Sequence, residues 1–115
     1  MYGFPARDFS FLVGNTVREI RTFAPAEVAQ RSEDYVILLL NGNREIHIKG
    51  GRRVDGFAGS RPAVLDDLQG RQVTDVRVVS RTEMVITFDA GIGLRLFDDS
   101  NQYERVQFYP ECIIV

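Results

Sequence analysis

A single histidine, a single cysteine and one pair of glycines at phosphate-loop spacing are where chemistry in this chain would have to start. His47 stands between Ile46 and Ile48, so on a strand its imidazole points away from theirs. A solvent-facing structural role is expected for it over that of a general base. One histidine and one cysteine are too few for a typical zinc set. Cys112 adjoins Ile113 and Ile114, and apolar surroundings raise a thiol pKa and suppress the thiolate, so it reads as a core residue. No serine occupies a Gly-x-Ser-x-Gly elbow. Gly51 and Gly56 have phosphate-loop spacing, but Phe57 and Ala58 stand where Lys and Ser or Thr are required, so the cation and the magnesium ligand are missing. The chain is therefore expected to have no catalytic residues, no metal and no cofactor.

Binding chemistry is better represented. Asp98, Asp99, Tyr103, Glu104 and Glu111 place carboxylates among aromatic side chains, with Phe108 and Tyr109 close by in sequence. Aromatic anchors ringed by charge suit a specific protein interface. A second group is basic: Arg44, Lys49, Arg52 and Arg53, with Phe57 as a stacking ring, would suit single-stranded nucleic acid. Total charge weighs against that alternative. Fourteen basic and sixteen acidic residues give a net −2, whereas a nucleic-acid-binding face normally makes a domain strongly basic.

The longest apolar run, Tyr35 to Leu40, falls far short of the ~20 residues that cross a bilayer, so no membrane role is expected. The N-terminus has neither the charged start nor the apolar stretch of a signal peptide. With one cysteine there is no disulfide framework, and a cytoplasmic protein is the default expectation.

The elements that must carry these residues come in two copies. Leu12, Gly14, Val17, Ile20 and Arg21 return as Leu68, Gly70, Val73, Val76 and Arg77 at an offset of 56. Val36, Leu38, Leu40, Asn41, Ile46, His47 and Ile48 align with Met84, Ile86, Phe88, Asp89, Leu94, Arg95 and Leu96 at an offset of 48. Repetition of this kind constrains architecture more than any single motif does. At 115 residues the chain is read as one domain, 1–115, built from units at about 8–50 and 64–115 joined by a glycine-rich linker at about 50–62.

Alternating apolar residues predict seven to nine short strands, making a mainly β (β-rich α+β) fold: an antiparallel sandwich or curved sheet with one or two short helices. Asp8 is expected to cap a turn over 9–13 that Gly14 stops, and Asn41-Gly42 to close a hairpin. The segment 24–31 is read as a short helix or a long loop, and 62–69 as a short helix ended by Gly70. An apolar terminal strand would pair within the fold or with another copy, leaving the protein a monomer or a weak dimer.

The second unit has a definite cadence: Leu68-x-Gly70, Ile86-x-Phe88, Leu94-x-Leu96, Asp98-Asp99, Tyr103-Glu104 and the ending Ile113-Ile114-Val115. It resembles small bacterial β-rich domains, including immunity proteins encoded beside polymorphic or contact-dependent growth-inhibition toxins. The resemblance covers residues 66–115 well and 12–48 weakly, and it implies no catalytic residue. It does imply a partner, a cognate toxin domain whose active site the protein occludes. For a nuclease toxin with a basic groove, Asp98, Asp99, Tyr103, Glu104 and Glu111 would form a complementary face.

Overall fold

The computed structural model describes residues 9–23, 35–49, 51–97, 106–109 and 113–114. Asp8, the 24–31 segment, Asp98 to Arg105, and Glu111 with Cys112 lie outside them. The fold is mainly β and antiparallel. β1 (Val17–Phe23), β2 (Tyr35–Leu40) and β3 (Glu45–Lys49) form one meander, and β7 (Val73–Ser80), β8 (Glu83–Phe88) and β9 (Gly93–Phe97) form its counterpart. Between them come β4 (Arg52–Asp55), β5 (Phe57–Ala58) and β6 (Arg61–Pro62); β10 (Val106–Tyr109) and β11 (Ile113–Ile114) close the chain.

The two units exchange their fourth strands. β4 follows the first meander in sequence but pairs with β9 of the second, while β10 follows the second and pairs with β3 of the first. The result is a five-stranded sheet ordered β1-β2-β3-β10-β11 and a four-stranded sheet ordered β4-β9-β8-β7, with β5 and β6 as a separate ribbon. The expected linker at 50–62 thus carries three short strands. Two of its glycines, Gly51 and Gly56, serve close approach. A Cβ on Gly51 would lie 3.1 Å from that of Phe97, and one on Gly56, at φ +106, would lie 3.0 Å from the Gly91 carbonyl oxygen. The phosphate-loop spacing is accounted for by this crossing of the chain.

The duplication recurs in the hydrogen bonds. Gly14 N donates to Val73 O (2.8 Å) and Gly70 N to Val17 O (2.8 Å). Val17 N donates to Arg71 O (2.9 Å) and Val73 N to Asn15 O (2.8 Å). Asn41 Oδ1 accepts from Thr16 N (3.1 Å), and Asp89 Oδ2 accepts from Gln72 N (3.3 Å). These paired bonds tie the starts of β1 and β7 together at one corner of the two sheets. Each strand then shifts register at the equivalent point, between Val17 and Glu19 and between Val73 and Asp75.

Period-2 alternation fills the space between the sheets. Val36, Leu38 and Leu40 match Met84, Ile86 and Phe88, and Ile46 and Ile48 match Leu94 and Leu96, all buried in one core. Leu12 and Leu68 seal it from short 3-10 turns at Ser10–Leu12 and Leu65–Leu68, each followed by a glycine with positive φ. The second turn is shorter than the helix expected over 62–69, because Pro62 belongs to β6. Its Asp67 accepts from Val64 N (2.7 Å) and is gripped by both terminal nitrogens of Arg61. These bonds, the arginine first, hold its carboxyl down at about 2.

Both meander hairpins turn through consecutive left-handed residues, Gly42-Asn43 and Ala90-Gly91, the backbone that a type I′ turn demands. The first lies one residue later than the Asn41-Gly42 reading, because Asn41 is held back by its bond to Thr16.

Candidate functional site

Alternation that buries one side of each sheet leaves an outer face on each, and the two faces differ. On the four-stranded sheet the outer row is Arg53, Arg95, Val85 and Arg77. Arg53 Nε donates to Asp55 Oδ1 (2.8 Å), and Arg95 links Asp55 to Glu83. Bonds from Arg53 and then Arg95 hold the Asp55 carboxyl below its usual range, and Glu83 foremost raises the Arg95 guanidinium. Four charges of this surface, Arg53, Asp55, Arg95 and Glu83, thus pair with one another.

The five-stranded sheet is different. Its outer rows are Arg21, Ile37 and His47, and Glu19, Leu39, Glu45 and Tyr109. Half-buried Ile37 and Leu39 occupy the middle of β2, where the other unit has Val85 and Thr87. His47 packs edge-on against Tyr109, ring centroids 4.9 Å apart, and its Nε2 lies 2.7 Å from Glu45 Oε1. Its side chain is only 17% exposed, so the solvent-exposed histidine expected from alternation is a packed one. The direction was right, but Tyr109, from a strand donated by the other unit, covers the ring.

Next to this apolar strip, at the β2–β3 turn, lies a depression of about 360 Å³. It lies at Leu39 and Leu40, the latter with its side chain in the core, with Arg18, Glu19 and Arg21 of β1 on one side and Asn43, Arg44 and Glu45 on the other. Glu19 accepts from Arg21 Nε (2.7 Å), while the Arg44 guanidinium lies 5.0 Å from the centre of the Phe11 ring. Arg18 is exposed and has no ion-pair partner among the described residues.

Of the basic residues expected to act together, only Arg44 reaches this depression. Lys49 lies at the far end of β3, about 17 Å along an extended strand. Arg52 and Arg53 belong to the other sheet and, as neighbours on a strand, face opposite sides of it. They do not converge into one patch. Phe57, 64% exposed, stands on the β5–β6 ribbon. Asp98, Asp99, Tyr103, Glu104 and Glu111 lie outside the described residues; in sequence they adjoin β10, a strand of the five-stranded sheet.

Arg18 and Arg21 were not singled out by spacing. At this place the two copies differ in part: Arg18 corresponds to Thr74, Arg44 to Ile92 and Glu45 to Gly93, while Arg21 recurs as Arg77. Among the described residues no group of three or more His, Cys, Asp or Glu could hold a metal ion, and no helix is long and apolar enough to cross a membrane. No protein-family model, curated protein or solved structure matches the chain.

Proposed function

We propose that this chain is a non-catalytic protein-binding module working in the cytoplasm, and specifically an immunity protein that neutralises a cognate toxin domain by covering its active site. The observation that carries the reading is the outer face of the five-stranded sheet. There Ile37 and Leu39 lie half-buried beside His47 and Tyr109, inside a border of Arg21, Glu19, Glu45 and Lys49. Apolar and aromatic residues within a charged rim are the composition of a specific interface. On the opposite face Arg53, Asp55, Arg95 and Glu83 pair with one another. The acidic segment Asp98, Asp99, Tyr103 and Glu104, with Glu111, adjoins β10 of the same sheet and would add carboxylates suited to a basic nuclease groove. The cadence of residues 66–115 supplies the immunity part of the reading.

The test is co-expression with the product of the adjacent reading frame, which the reading requires to be the C-terminal domain of a large secreted protein. Rescued growth and a stoichiometric complex on size exclusion are expected, with Ile37→Asp and reversal of Asp98 and Asp99 to Arg each weakening the complex. A toxic domain that neither binds this chain nor is restrained by it removes the immunity reading. Binding untouched by all three changes removes the assigned face.

A further inference from the structure

We infer that the free edge of β7 binds a second copy of this chain. Two β7 strands pair antiparallel about a two-fold axis through Val76 and join their four-stranded sheets into one continuous sheet. The inference goes beyond the toxin-binding reading and does not depend on it. Three observations carry it.

The first is an open edge. β7 (Val73–Ser80) stands last in the order β4-β9-β8-β7 and is the longest strand described. The start of this edge is closed: Val73 N donates to Asn15 O and Val73 O accepts from Gly14 N, both at 2.8 Å. Beyond Val73, no strand among the described residues pairs with β7 on the side away from β8. An unpaired edge is a template for another extended chain.

The second is charge left over. Asp75 and Arg77 are exposed on the outer face, opposite Thr87 and Val85 of β8. An acid and an arginine two residues apart also occur on the edge strands β1 and β4, where they close on each other. Glu19 holds Arg21 at 2.7 Å, and Asp55 holds Arg53 at 2.8 Å. Asp75 and Arg77 have no ion-pair partner among the described residues.

The third is self-complementarity, which selects both the occupant and the register. With the axis at Val76, Asp75 lies opposite Arg77 of the other copy and Arg77 opposite its Asp75. An axis at Arg77 sets two arginines face to face, and one at Asp75 two aspartates. Intermediate registers set each charge against an uncharged residue. Opposite charges across a strand pair stabilise it and like charges destabilise it. On the inner face Val76 meets Val76 and Thr74 meets Val78, so two half-buried valines that already pack on the core gain cover. A two-fold interface requires a patch that complements itself in this way. The closed start of β7 confines the ladder to 74–78, which makes the dimer a weak one.

The experiment is sedimentation velocity of the full chain over a concentration series, for the parent, Asp75→Arg, Arg77→Asp and the exchange Asp75→Arg/Arg77→Asp. Melting temperatures check that each variant folds. The parent is expected to dimerise as concentration rises. Each single reversal should weaken association about tenfold or more, because it sets like charges opposite one another at both symmetric pairs. The double exchange should restore the dimer, and so should an equimolar mixture of the two single variants, which complement each other as a heterodimer. Amide hydrogen exchange of the parent should gain protection over 74–78 between low and high concentration. The proposal is overturned if the parent stays monomeric to its solubility limit, or if single reversals leave the dimer unchanged. It is also overturned if the mixture fails to recover association, or if protection is gained at β1 or β11 instead. None of these readouts involves a toxin, so failure here leaves the proposed partner face standing.

Discussion

Ala90 is the one non-glycine, non-asparagine residue with positive φ among the described residues (φ 64, ψ 14). The equivalent position in the first unit is Gly42, at φ 71 and ψ 23. The same turn is thus built once with the residue that adopts this backbone freely and once with one that does not. Holding a Cβ-bearing residue in the left-handed region costs roughly 1–2 kcal/mol. Glycine gives back about 0.4–1 kcal/mol of that through the greater freedom of the unfolded chain. Ala90→Gly should therefore stabilise by about 0.5–1 kcal/mol.

The melting entropy of a chain of 115 residues is about 0.24 kcal/mol/K, so this corresponds to a rise of about 2–4 °C. Gly42→Ala should do the reverse, since a Cβ there meets nothing within 4 Å and the effect is purely one of backbone. The swap Gly42→Ala/Ala90→Gly should melt close to the parent, because the two turns lie in different hairpins. Thermal and urea unfolding read all three. Destabilisation by Ala90→Gly, or a shift of the two single variants in the same direction, would refute the equivalence of the turns.

Gly56→Ala should destabilise by about 2 kcal/mol or more, because φ +106 is strained for a side chain and its Cβ would meet the Gly91 carbonyl at 3.0 Å; a melting temperature within a degree or so of the parent would contradict the crossing described for β4. Asp67→Asn should lower the melting temperature at neutral pH. The Asp67 carboxyl sits at about 2 in the folded chain, below the ~3.9 of an unfolded aspartate, so its contribution is full above about pH 4 and lost as pH falls through 2. The gap between parent and variant should close across that window, and a gap independent of pH would show that Arg61 and Val64 do not act through the charge.

Local pattern made much of the fold legible. Val36-x-Leu38-x-Leu40 and Met84-x-Ile86-x-Phe88 bury every second residue because strand geometry permits little else, and Gly14 and Gly70 fall where a 3-10 turn ends in a left-handed residue. The exchange of β4 and β10 was not legible. Arg52-Arg53-Val54-Asp55 is polar and short, and what makes it a strand is its register against Leu94 and Leu96, some forty residues away. The packing of His47 was hidden for the same reason, since Tyr109 reaches it from a strand on the far side of the exchange. The arginine-lined depression escaped because repetition draws attention to what two copies share.

What the copies do not share is the more informative comparison for function. Positions held alike in both units, Leu12 and Leu68, Val17 and Val73, Asn41 and Asp89, are occupied by core packing or by the bonds that join β1 to β7. Those roles exist in each unit, so they say how the scaffold stands and nothing about what it meets. At Ile37 against Val85, Leu39 against Thr87, Arg18 against Thr74 and Arg44 against Ile92 the scaffold is the same and the chemistry is not. These differences collect on one outer face, beside one depression, while on the other face Arg95 ties Asp55 to Glu83. A duplicated fold carries its own reference state, and these four departures from it lie on the five-stranded sheet and its β2–β3 turn, the face proposed above for binding.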